Sequence, residues 1–119
     1  MATLEESIIG LRKALVLPRQ QQGWGWLVRQ RMAAVKDALI EEEGRSSEAW
    51  LAARQGSVVR ERNALLSQLA MLGPLVLEGS DPESVRARLL RLVHDLERHR
   101  QRLSDLVYDS VSLEFGGSE

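Results

Sequence analysis

DPESVRARLLRLVHDLERHRQRLSDL, residues 81–106, is the most regular stretch of the chain and decides its fold class. Asp81 ahead of Pro82 sets an N-cap residue beside a proline at the first helical position, where the missing N–H is no loss. Glu83 suits the positive end of the helix dipole. From there Val85, Leu89, Leu92, Leu96, His99, Leu103 and Leu106 step alternately by four and three. That spacing is a heptad seam over three repeats with one polar occupant. The helix is expected to fray near Asp109 to Val111, leaving 1–112 as one helical domain and 113–119 as a flexible tail.

Outward from this seam, three more helices are expected. Leu4, Ile8, Leu11 and Leu15 draw one apolar stripe, and Thr3 with Glu6 has the spacing of a capping box. Pro18 closes that helix near Leu17, because proline disfavours the helical conformation in the residue before it. A second helix runs from about Trp26 to Glu43 with Val28, Met32, Val35 and Leu39 on one face, and Gly44 sits in the position that favours a left-handed stop. A third starts at Ser46 or Ser47, with Glu48 in its first turn, and ends at Leu72 before Gly73-Pro74. Leu51, Val58, Leu65 and Leu72 mark its apolar side, joined by Leu66 and Leu69. Gly56, within the polar middle from Arg54 to Arg62, is a point for a kink or break. No stretch alternates with period two.

The expected architecture is therefore all-α: a four-helix bundle-like domain whose last two helices are long and antiparallel. A fourth helix of about 28 residues is roughly 42 Å long. A compact globule of this chain length has a radius of gyration of about 13–14 Å and a diameter of about 35 Å. The helix would overhang such a body. Either the domain is elongated, or the seam packs against a second copy, and a homodimer through the fourth helix is the expectation from seam length.

The chain has 119 residues with 16 basic and 17 acidic side chains, a formal net charge of −1 and no cysteine. A near-zero net charge argues against a strong, sequence-independent grip on nucleic acid or anionic lipid. The missing thiols remove disulfides, thiolate zinc sites and thiol nucleophiles. An acidic start (Thr3-Leu4-Glu5-Glu6) and the absence of an 18-residue apolar run give a cytoplasmic, non-membrane expectation.

Three groups of residues invite a functional reading. His99 is the polar member of the Leu seam, a position that often fixes register, and two copies facing one another there would make association pH-sensitive. The plainer reading sends His99 past the seam to solvent or to a carboxylate. Asp95 and His99 share a helix face at a spacing that can hold a metal. His94 points about 140° from His99, so the two imidazoles cannot chelate one ion, and no metal site or cofactor is expected.

The second group lies between the first two helices. Residues 19–31 hold Arg19, Trp24, Trp26, Arg29 and Arg31 without one acid. Rings beside guanidinium groups suit docking of a protein partner, with stacking on nucleic acid as the other option. The plainer reading has Trp24 and Trp26 staple the first helix onto the bundle.

The third group is charged. Arg86, Arg88, Arg91, Arg98, Arg100 and Arg102 interleave with Asp81, Glu83, Asp95 and Glu97 along the fourth helix, the pattern of a solvated, ion-paired face. Glu41-Glu42-Glu43 opposes the dipole at a helix C-terminus, which Arg45 or Arg54 would relieve. No nucleophile elbow, glycine-rich phosphate loop or His-Glu-x-x-His motif is present. The expectation is a non-catalytic helical interaction or scaffold module, homodimeric and docking a protein partner. The alternative is a nucleic-acid-associated regulator using Arg19, Arg29, Arg31 and the arginines of the fourth helix.

Overall fold

A computed structural model describes residues 3–43, 56–78 and 81–116, with side chains described for 3–41, 56–78 and 81–106. Four helices make up the described chain: α1 Leu4–Val16, α2 Trp24–Glu43, α3 Gly56–Glu78 and α4 Pro82–Gly116. α1 packs on α2 and α4, and α3 packs on α2 and α4, so the four helices close a ring around one core. The body measures 60 × 22 × 21 Å with a radius of gyration of 16.6 Å. It is elongated, because α4 alone has 35 residues and is about 52 Å long.

The stripes read from the sequence form the core. Ile8, Leu11 and Leu15 of α1, Val28, Met32, Val35 and Leu39 of α2, Leu65, Leu69 and Leu72 of α3, and Val85, Leu89, Leu92 and Leu96 of α4 are all buried. Burial of each such side chain contributes about 1.5–3 kcal/mol before chain entropy is set against it. Two of the expected N-caps, at Thr3 and Asp81, are formed. Thr3 Oγ1 accepts from the Glu6 amide at 3.1 Å, and Asp81 Oδ1 accepts from the Ser84 amide at 3.4 Å. Leu17, held extended at φ −68° and ψ 150°, ends α1 just before Pro18.

The boundaries depart from expectation in three places. First, α2 begins at Trp24 rather than Trp26. Residues 18–24 fold into two successive turns, with the Gln21 amide on Pro18 O at 3.0 Å and the Trp24 amide on Gln21 O at 3.1 Å. Gly23 then takes φ +81°, a conformation that a side chain would strain, and its carbonyl accepts the first helical bond from Leu27 at 3.0 Å.

Second, α3 does not stop at Leu72 but runs through Gly73-Pro74 to Glu78. Proline before residue 75 leaves the Ala70 carbonyl without its usual i+4 donor. Ala70 and Pro74 are both exposed, so that carbonyl faces water. Gly73 has no Cβ to strike the proline ring, which removes the clash that normally ends a helix there. Burial of Val76 rewards the continuation. Third, the helix that starts at Pro82 continues to Gly116, past the expected fraying point at Asp109 to Val111. The expectations placed on Gly44, Arg45, Ser46, Ser47, Glu48, Leu51 and Arg54 lie outside the described residues.

Candidate interaction surface

Trp24 and Trp26 are two residues apart on α2, about 200° around a helix, so they cannot share a face. Trp24 points inward. It is 6% exposed, and its indole Nε1 donates to the Ala14 carbonyl at 3.1 Å. Ala14 lies in the last turn of α1, where its carbonyl also accepts the Leu17 amide at 3.3 Å, and the indole bond ties the end of α1 to the start of α2. Trp26 points outward and is 75% exposed. The stapling reading therefore holds for Trp24 and fails for Trp26.

Trp26 stands at the end of the bundle where the α1–α2 connection meets the end of α3 and the start of α4. It lines an open depression of about 410 Å³ together with Arg19, Gly23, Gly25, Leu77 and Pro82. Gly25 lets the start of α2 approach the end of α3: a Cβ there would lie 3.3 Å from Leu77 Cδ2 and 3.7 Å from the Val76 carbonyl. Leu77 is itself 51% exposed. Arg19 Nε lies 3.8 Å from Glu83 Oε1 on the rim. Of the other two arginines expected here, Arg29 is exposed one turn beyond Trp26. Arg31 leaves the corner, its stem lying 3.4 Å from where a Cβ of Gly10 on α1 would stand. The extended α3 is what completes this surface, since Leu77 lies beyond the point where proline was expected to end the helix.

The seam of α4 is satisfied within the chain over most of its length. Leu89, Leu92, Leu96 and His99 have no exposed surface and Val85 has 6%, while Leu103 and Leu106 are half-buried. The first five positions are thus covered within this chain, with Val85 the least so at 6%. His99 meets a carboxylate of its own chain. Its Nδ1 lies 2.7 Å from Glu61 Oε1 on α3, and Glu61 Oε2 receives Arg102 Nη1 at 2.9 Å. A carboxylate only accepts, so Nδ1 carries the hydrogen of that bond. Glu61 and the buried Arg62 of α3 were invisible as site residues, because the charged run around them reads as solvent-facing.

Elsewhere on α4, Glu97 pairs with Arg12 of α1 rather than with an arginine of its own helix. Arg88, Arg91, Arg98 and Arg102 follow at helical spacing along one exposed face, with Asp95 among them. Among the described residues no group of three or more His, Asp or Glu side chains is placed to hold a metal ion. None of the described helices is long and apolar enough to cross a membrane. The fold and this surface define an all-α four-helix chain with an exposed aromatic corner. Compared with protein-family models, curated proteins and solved structures, the chain matches none.

Proposed function

We propose that this chain is a non-catalytic helical interaction module whose contact surface is the corner around Trp26. The carrying observation is a tryptophan three-quarters exposed beside a half-exposed leucine. Tryptophan is the side chain most enriched among residues that dominate binding energy, and contiguous exposed apolar surface marks contact sites on soluble proteins. The neighbouring geometry supports the same reading. Trp24 and Gly25 lock the start of α2 in place, so Trp26 is presented from a rigid element and little ordering is needed on contact.

The test is thermal unfolding of Trp26→Ala. A docking residue leaves the midpoint within about 2 °C of wild type, since an exposed substitution away from packing changes stability by less than about 0.5 kcal/mol. A fall of about 10 °C would make Trp26 a structural residue and remove the reading.

The face of α4 bearing Arg88, Arg91, Arg98 and Arg102 favours a second reading, binding to a nucleic-acid backbone. It requires retention on heparin that weakens steeply with salt. Asp95 within that face, Glu61 on Arg102 and the net charge of −1 all work against it.

A further inference from the structure

We infer that the occupant of the Trp26 corner is a second copy of this chain, related by a two-fold axis. The inference rests on the corner being a contact surface and adds who fills it.

The charge on the rim selects the partner. Arg19 lines the depression and lies 3.8 Å from Glu83, while Arg29, Glu78 and Asp81 are exposed at positions near its lining residues in sequence. A partner of one sign, an acidic peptide or a nucleic acid, would meet repulsion as well as attraction here. A surface that carries both signs around an apolar centre is complementary to itself, which is what a two-fold contact requires. Arg19 and Glu83 already lie 3.8 Å apart in one chain. An axis passing beside them places Arg19 of each copy against Glu83 of the other and alternates four charges around the axis. The same rotation lays Trp26 and Leu77 of each copy across the other's depression, which is open beside Gly23.

Size sets the strength. The end of the body is only 22 × 21 Å across, which caps the area a contact there can bury. A contact so capped lies below the range of permanent dimers and within that of weak, reversible ones. The dimer is therefore concentration-dependent, with dissociation at roughly micromolar to hundreds of micromolar protein.

Sedimentation equilibrium of the whole chain, from about 5 μM to about 1 mM, tests this. Wild type passes from monomer to dimer over that range. Trp26→Ala counts twice across the two-fold axis and weakens the dimer by about a thousandfold. Arg19→Glu and Glu83→Arg each weaken it by at least about tenfold, through like charges placed opposite one another. An equimolar mixture of these two variants recovers a dimer within a few-fold of wild type. In the mixed pair each copy's swapped charge meets its complement on the other copy, while the pair within each chain stays broken. A wild type that is monomeric at 1 mM, a dimer indifferent to Trp26→Ala, or a mixture no tighter than its components overturns the inference. None of these outcomes depends on the thermal midpoint of Trp26→Ala, which judges the contact surface separately.

Discussion

Leu92→Ala is expected to lower the unfolding free energy by about 3–4 kcal/mol and the thermal midpoint by about 12–15 °C. Leu92 is fully buried at the middle of the α4 seam, with Leu89 and Leu96 one turn away on either side. Truncation removes three carbons from a close-packed layer enclosed by four helices, which relaxes little, so the void adds to the lost transfer energy. Domains of this size are stable by about 5–15 kcal/mol in total, so the loss is a large share. Circular dichroism through a thermal ramp measures it. The same fall is expected in a Trp26→Ala background, because Leu92 lies ten residues, about 15 Å, along α4 from Pro82 at the corner, and distant effects add. A fall below about 1 kcal/mol would mean that the seam is not packed inside the chain.

The second large effect belongs to Glu61. Glu61→Ala is expected to destabilise the chain by about 2 kcal/mol, against less than about 1 kcal/mol for Arg102→Ala. The difference comes from burial. His99 has no exposed surface, and removing Glu61 takes away its 2.7 Å contact at a buried site where water does not readily replace it. Arg102 is 44% exposed and regains water when its 2.9 Å contact is lost. Urea unfolding of the two variants separates them, and equal losses would place the stabilisation in the surface ion pair rather than the buried one.

Much of this fold is legible in the sequence because each helix announces itself locally. The steps Ile8–Leu11–Leu15 and Val28–Met32–Val35–Leu39 need only helical periodicity, and the caps at Thr3 and Asp81 need only three residues each. What is not legible depends on partners remote in sequence. Glu61 and His99 are 38 positions apart, and nothing local marks a glutamate in a charged run as the acceptor for a buried imidazole. Gly73-Pro74 is a strong local stop signal that tertiary burial of Val76 overrides, with the defect turned to water. The heptad seam is real, but period alone does not say whether its cover is the same chain or another.

The corner shows the same division. That residues 19–31 hold an unusual combination of rings and cations is visible at once. Which ring is the anchor and which the contact follows from the helix phase, and that phase depends on Gly23 starting α2 two residues earlier than expected. With the helix begun at Trp24, the 200° between the two tryptophans already separates their roles. Leu77 and Glu83, which complete the surface, come from the neighbouring α3 and from α4, both remote from residues 19–31 in sequence.

The solution molar mass of the wild-type chain across concentration tests the account most directly. Light scattering should show 13.4 kDa for dilute protein rising toward twice that value as concentration approaches about 1 mM, with Trp26→Ala held at the monomer value throughout. A mass that stays at 13.4 kDa at every concentration would contradict the pairing of copies through the Trp26 corner.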